Sequence, residues 1–287
     1  MRIRFRHLST CVLAAWTLAV LGASSSSAPV YKDPLPFREY PSFEGADAEA
    51  PMPRDADVPG ELVVGRLMYP SADGGRGFFG GGNWHYGGTG WTDDYPRGDR
   101  ALIQMLRRNT RINVRAVEQP VSLDDDDDIF YWPFLVAGLA QSWSLSDSQA
   151  AKLREYLERG GFLFCDSFFG EQNWYDYEES LQRVFPDREI KPLTDEEVIF
   201  HVAFDLKHMT NVSIPHISQV FGGGFMQGGP PHWRGVFDDN GRLMVLIAHN
   251  NDVGDGWQWA DNPRYPADEA NRALRIGSNV AVYAMTH

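Results

Sequence analysis

Four apolar runs in this chain stop abruptly at a glycine or a polar group: LVVGRLMY at 62–69, IFYWPFLVAG at 129–138, GGFLFCD at 160–166 and VLIAH at 245–249. Short apolar runs bounded in this way read as strands buried on both faces, which is the habit of parallel sheets. Helical patterns lie between them. RGDRALIQMLRRNT (97–110) places Ala101, Leu102, Met105 and Leu106 on one face, and Ser146 to Gln149 form a capping box. The helix opened by that box is expected to end at Arg159, before Gly160 and Gly161. WYDYEESLQRVF predicts a further helix and DEANRALRIGSNVAVYAM a closing one, while INVRAVE (112–118) predicts a strand. VFDDNGRLMVLIAH reads as a hairpin turning at Asp239, Asn240 and Gly241. Strands alternating with helices predict an α/β fold, a three-layer sandwich with a mainly parallel central sheet and long loops rich in glycine and aromatics.

The beginning of the chain has a different character. MRIRFRH is basic, LSTCVLAAWTLAVLGA is apolar but short for a membrane span, and ASSSSA supplies small residues. That order is the three-part pattern of a secretory signal. A signal over 1–27 and export to the periplasm or the extracellular space are therefore expected, with no transmembrane span left after cleavage. An uncleaved N-terminal anchor is the alternative. Residues 28–60, rich in Pro, Asp, Glu and Ala, show no period and read as an extended leader to a single α/β domain over 61–287. The net charge of −13 becomes more negative once Arg2, Arg4 and Arg6 leave with the signal, which argues against nucleic acid and anionic membranes as partners. Cys165 is the one cysteine beyond the signal, so the domain must hold together without an internal disulfide.

Ligands in open α/β sheets bind at the carboxyl ends of the strands. The sequence brings to that edge the loop after Tyr69, the acidic block Asp124–Asp128, Asp166, and LIAHNNDVGDGWQW at 246–259. Asp166 and His249 are the candidate acid–base pair: a carboxylate ending an apolar strand needs a partner, and an imidazole titrates near neutrality. Their plainer roles would be contact with a helix N-terminus and a hydrogen bond that closes the strand. Trp84, His85, Asp93, Asp94, Asn250, Asp252 and Trp257 are candidate ligand contacts. The tryptophans would offer flat apolar walls with polar edges to a sugar or peptide, or else roof a small second core. Cys165 reads as a buried structural thiol, because FLFCDSFFG lacks the small residues of a nucleophile elbow. Ser167 has no sequence support as a nucleophile.

No HExxH, HxH or paired-cysteine spacing occurs, and NNDVGDG fails the EF-hand register, where Val253 takes a liganding place and Asn262 that of the closing glutamate. No metal and no cofactor are expected, Ca²⁺ on oxygen ligands being the one option left open. The glycines make neither a P-loop nor a dinucleotide fingerprint.

NW followed by WTDDYPRGD, the helix ending in NT, WPFLVAG, LSDSQAAKLREYLERGGFLFCDSFFG, VFP at 184–186, HNNDVGDGWQWADNPRYP and GSNVAVYA occur in this order. As a set they resemble the bacterial family catalogued as domain of unknown function 4159, over roughly residues 60–285. The resemblance implies a class I glutamine amidotransferase-like, flavodoxin-like fold. It also implies an exported or anchored protein encoded near MoxR-type ATPases and von Willebrand factor A proteins. The Gly-x-Cys-x-Gly elbow and the late His-x-Glu of true amidotransferases are both missing, and His249-Asn250-Asn251 stands where the second would be. The leading expectation is an amidotransferase-like domain that binds a cell-envelope protein or glycan without glutaminase chemistry. Two others compete with it: an envelope hydrolase of glycans, esters or amides using Asp166 and His249, and an assembly component with a vestigial pocket.

Overall fold

The computed structural model describes residues 33–72, 82–223 and 228–287. The signal reading of 1–27 and the glycine stretches at 73–81 and 224–227 lie outside the described residues. Among the described residues seven strands form one sheet: β1 (Val64–Met68), β2 (Gln119–Ser122), β3 (Phe134–Gly138), β4 (Phe162–Phe168), β5 (Lys191–Pro192), β6 (His232–Phe237) and β7 (Leu243–His249). Their order is β2-β1-β3-β4-β7-β6-β5. The pairs from β2 through β7 are parallel, while β6 returns antiparallel to β7 and β5 antiparallel to β6. Every residue of β3, β4 and β7 is buried, as continuous apolar runs require when helices cover both faces of a sheet.

Alternation along these strands divides the core in two. Leu135, Ala137, Leu163, Cys165, Val245 and Ile247 pack beneath α2 (Asp147–Glu158) and α3 (Gly170–Val184). Phe134, Val136, Phe162, Phe164, Leu246 and Ala248 pack on the opposite face. That second face is covered by α1 (Arg97–Asn109), α5 (Val253–Gln258) and α6 (Ala267–Thr286). The short helix α4 (Ile217–Phe221) packs through Ile217 and Val220 against Trp259, Tyr265 and Ala270. The result is the expected three-layer α/β sandwich. Among the described residues no helix is long and apolar enough to cross a membrane.

Several local expectations hold. Ser146 Oγ accepts from Gln149 N at 3.2 Å and Gln149 Oε1 accepts from Ser146 N at 2.9 Å, so the capping box opens α2 as the spacing predicts. The β6–β7 hairpin turns through Gly241, whose φ of +83° favours glycine. Others shift. The strand expected over 112–118 forms instead at Gln119–Ser122, because Arg115 turns back on the carbonyls of Val117 and Glu118 while Val114 makes a single bridge to Leu62. The buried stripe of α1 is Leu102, Ile103 and Leu106, preceded by a buried polar turn of Asp99 and Arg100. The expected polar loop after His249 is largely the helix α5.

Residues 33–60 are mostly irregular, yet they are strapped onto the domain. Ala48 is fully buried, Tyr40 N donates to the Tyr95 hydroxyl at 3.1 Å, and Ser42 Oγ donates to Thr92 O at 2.9 Å. Arg100 reaches Ala50 O at 2.8 Å and Glu39 at 2.5 Å while also pairing with the buried Glu118. The composition reads as an extended leader, and pairing with fixed partners on the 89–100 segment holds its described part, residues 33–60, in place.

A second buried ion pair lies deeper in the sandwich. The Arg66 guanidinium, on the α1 face of β1, binds Asp99 with Nε–Oδ2 3.1 Å and Nη2–Oδ1 2.6 Å, and their side chains are 1% and 0% exposed. Removing one partner of such a pair strands the other charge in the core, at a cost of about 3–5 kcal/mol. Arg66→Met should lower the free energy of urea unfolding by roughly that amount. Arg107→Ala, which breaks a solvent-exposed pair with Asp55, should leave the unfolding midpoint unchanged. Equal effects of the two substitutions would contradict this division.

Candidate functional site

The carboxyl ends of β1, β3, β4 and β7 meet beside a loop carrying Asp93 and Asp94, just before a cis Tyr95–Pro96 peptide. The backbone there is unusual. Asp94, Leu139, Ser167 and Asn250 all have left-handed φ values, of 59°, 46°, 63° and 59°. Non-glycine residues hold such angles only where the surroundings over-determine them, and they gather at functional sites. At Ser167 the cause is a bulge: the β4–β7 register slips between Cys165 and Phe168, so Cys165 still faces Ile247 but Phe168 meets His249.

Asp166, Ser167, Asp94 and Asp252 are each 2–3% exposed and converge at this edge. Ser167 Oγ lies 3.0 Å from Asp252 Oδ1 and 3.3 Å from Asp94 Oδ2, a single hydroxyl proton facing two acceptors. Asp166 Oδ2 accepts from Gly254 N at 2.7 Å. Gly254 is required: a Cβ at that position would fall 2.0 Å from Asp94 Oδ2. Asp252 caps α5 by accepting from Asp255 N at 3.0 Å. Glu44 on the strap closes the group, taking Asp94 N at 2.6 Å and Gln258 Nε2 at 3.2 Å. Asp255 is also satisfied, by Ile217 N and by Trp259 Nε1. Two buried oxygens are not: among the described residues, Asp166 Oδ1 and Asp93 Oδ2 accept no hydrogen bond.

This crowding is visible in the proton affinities. Burial, followed by repulsion from neighbouring carboxylates, holds Asp93, Asp94, Asp252 and Asp255 well above the usual carboxylate range. Burial pushes Asp166 up to about 8, although backbone amides of Gly254, Ser167 and Val253 pull it back. Arg66 is the cation whose field reaches Asp93 and Glu44, but its hydrogen bonds go to Asp99.

Among the residues expected at the site, Asp93, Asp94, Asp166 and Asp252 are brought together. His249 is not. It leaves β7 on the α2–α3 face, stacked on Phe168 at 5.4 Å and on His232 at 5.5 Å, whereas Asp166 leaves β4 toward α5. Its Nε2 must donate to Gly170 O at 2.9 Å, so Nδ1 accepts from Arg234 at 3.1 Å and no ring nitrogen is free to act as a base. Burial also pushes its pKa down to about 4. Asn250 is a clamp, accepting from Gly170 N and donating to Pro230 O, each at 2.8 Å. Trp257 is fully buried against Phe164 with Nε1 on Ala273 O, and so is a core residue, not a pocket wall. Trp84 is half-buried and His85 exposed, the two stacked at 3.7 Å with His85 facing Asp124.

Sequence reasoning passed over Glu44, His216 and Asp255, and it weighed Ser167 only as a nucleophile. Of these, only the i, i+3 spacing of Asp252 and Asp255 carried a local signal, that of a helix cap.

Residues 83–285 match the family described as Domain of unknown function (DUF4159). The chain belongs to that family. No curated protein matches it. In this DUF4159 domain the matched span begins after the strap and holds Asp93, Asp94, Asp166, Ser167 and Asp252, with Glu44 outside it.

The raised carboxylates make stability depend on pH. A carboxyl group whose folded pKa lies above its unfolded value stabilises the fold fully below the unfolded pKa and loses that contribution as pH rises through the folded one. Glu118, pushed up to about 7 by burial, and Asp166, at about 8, lose it progressively from about pH 4, where carboxyls ionise in the unfolded chain, up to about pH 8, and the part above about pH 6.5 is the window free of buried-histidine titration. His216 and His249, both near 4, stay neutral in the folded state throughout that window. In buffer containing EDTA, the thermal midpoint should rise as pH is lowered from about 8 to about 6.5, and Asp166→Asn should flatten the rise. A midpoint that falls over this range would contradict the placement of these groups.

Proposed function

We propose that this DUF4159 domain is an exported, amidotransferase-like binding module of the cell envelope. In this reading its ligand is held at the carboxyl edge of the sheet and glutaminase chemistry is absent. The observation that carries the proposal is the shortage of hydrogen-bond donors among Asp93, Asp94, Asp166 and Asp252, which leaves two buried carboxylate oxygens without a partner among the described residues. Buried polar groups are nearly always paired, and unpaired ones collect where something else completes them. A ligand rich in donors or positive charge suits such an edge. A cell-envelope protein or glycan is the expected partner, and family analogy adds MoxR and von Willebrand factor A systems. The left-handed residues around the edge support the same view, since backbone strain of this kind is ordinarily retained for function.

The thiol supports the absence of glutaminase chemistry. Cys165 lies within the β4 ladder opposite Ile247, is fully buried, and has its pKa pushed up to about 12 by burial. A nucleophilic cysteine needs the reverse: exposure and a lowered pKa. The hydrolase alternative loses its acid–base pair, because Asp166 and His249 leave opposite faces of the sheet. Ser167 occupies a turn-like position ahead of α3, but its hydroxyl meets carboxylates and no imidazole. A vestigial pocket would leave its polar groups mutually satisfied, which Asp166 and Asp93 are not.

Fractionation of cells producing the full chain should recover it outside the cytoplasm. The purified chain should release no more ammonia from glutamine than a buffer blank, and iodoacetamide should leave Cys165 unmodified until the protein is denatured. Ammonia release that disappears in Cys165→Ser would sink this reading.

A further inference from the structure

A guanidinium drawn out of water needs oxygen acceptors, and this domain supplies them with one exception. Arg66, Arg100, Arg115, Arg188 and Arg242 are partly or wholly buried, and each points its guanidinium at a carboxylate or a carbonyl oxygen. Arg234 is half-buried and, among the described residues, meets neither. Its one hydrogen bond joins Nη1 to His249 Nδ1 at 3.1 Å, and its Cζ lies 3.8 Å from the centre of the Trp174 ring. The remaining nitrogens reach solvent. Glu178, one turn beyond Trp174 on α3, is the carboxylate whose charge Arg234 feels, but the two form no ion pair. With a net charge of −13 the chain has no shortage of carboxylates to place here.

The guanidinium is held in position. β6 runs antiparallel to β7, so His232 pairs with His249 at the carboxyl edge of the sheet, and Arg234 follows two residues on, on the same α2–α3 face. Because His249 Nε2 donates to Gly170 O, its Nδ1 can only accept, and it fixes Nη1 of Arg234 in turn. Trp174 supports the guanidinium from one side. His232 stacks on His249 with ring centroids 5.5 Å and planes 19° apart, and it makes no hydrogen bond among the described residues. Burial, and then the charge of Arg234, hold the His232 pKa below the ordinary histidine value. The ring is therefore neutral near pH 7 and brings an N–H donor of its own.

We propose that Arg234 and His232, backed by Trp174, bind an oxyanion, the carboxylate or phosphate group of a ligand that docks on the α3 side of the carboxyl edge. An arginine fork takes such a group through two parallel N–H···O bonds, and the neutral histidine adds a third. The bound anion would supply the oxygen acceptors that the other buried arginines already have. This subsite is opposite in sign to the four aspartates and lies on the other face of the sheet. It rests on none of the observations made at that acidic edge.

The test is NMR of the full chain with isotope-labelled histidine rings, at about pH 7.5, where His232 is neutral. The protein is titrated with sodium phosphate or sodium acetate, against NaCl of matched ionic strength, and His232→Gln assigns the His232 signal by its loss. Phosphate or acetate should move that signal saturably below about 50 mM, while the signals of His85 and His201, at separate surface pairs, follow the NaCl series. Saturation by phosphate alone assigns a phosphate-bearing ligand, and saturation by acetate a carboxylate-bearing one. Arg234→Gln should weaken the response at least about tenfold. Arg234→Lys, which keeps the charge without the fork, should fall between that variant and the wild type. The proposal is overturned if neither anion moves the His232 signal beyond the NaCl series. It is equally overturned if Arg234→Gln, or Arg234→Lys should the first fail to fold, binds with unchanged affinity. Neither result alters the glutamine assay, which judges the binding-module reading separately.

Discussion

Four aspartates share one buried edge with too few hydrogen-bond donors to serve them, and much of the surrounding structure is arranged around that constraint. Two unit charges 4 Å apart repel by about 4 kcal/mol at an effective dielectric of 20. A single hydrogen bond returns only about 0.5–1.5 kcal/mol net. The amides of Gly254, Ser167 and Val253 at Asp166, that of Asp255 on Asp252 and the one hydroxyl proton of Ser167 therefore do not offset full ionisation. The edge must take up protons or a positively charged occupant, and the raised proton affinities express that demand. The strap belongs to the same arrangement. Glu44 fixes the backbone of Asp94, and Gln258 fixes Glu44, so chain outside the sheet sandwich helps define the acidic edge.

The parity of the strands decides which chemistry this edge can support. Along β4, Phe162, Phe164 and Asp166 leave on the α1–α5 face, whereas Leu163 and Cys165 leave beneath α2 and α3. His249 follows Val245 and Ile247 to the α2–α3 side. The thiol and the imidazole are thus on the face away from the carboxylates, and each is engaged within its own layer. No rotamer change brings them across a hydrogen-bonded sheet. A pairing that looks natural when strand ends are placed side by side in sequence is separated by the thickness of the sheet.

The strands, the capped helix and the hairpin were legible because each carries its own local pattern: continuous apolar runs in β3, β4 and β7, Ser146 with Gln149, and Asn240-Gly241 between two strands. Asp166 and Asp252 were legible as edge residues for the same reason, since each ends or follows a strand, and Asp93 and Asp94 sit on the long connection after Tyr69, the loop the sequence brought to that edge. What failed depends on contacts far apart in sequence. Low-complexity composition cannot reveal that Ala48 is buried or that Glu39 meets Arg100. Nor does a tryptophan flanked by polar residues announce that it turns inward once a short helix forms, as Trp257 does. The His249 reading failed for want of one further step, the counting of alternation from Val245.

The bulge at Ser167 ties these points together. If β4 kept a regular alternation past Cys165, Asp166 and Phe168 would share one face; with the inserted left-handed residue, Phe168 instead crosses to the α3 side and stacks on Tyr177 and His249. The hydroxyl of Ser167 is thereby left at the edge between Asp94 and Asp252. A non-glycine residue in that conformation costs about 1–3 kcal/mol. The aromatic packing of Phe168 on one side and the serine–carboxylate contacts on the other hold it there. Replacing Ser167 by glycine would relieve the backbone while removing the only hydroxyl shared by the two aspartates. Fold stability and the acidic edge therefore place opposite demands on this one residue, and the chain has kept the serine.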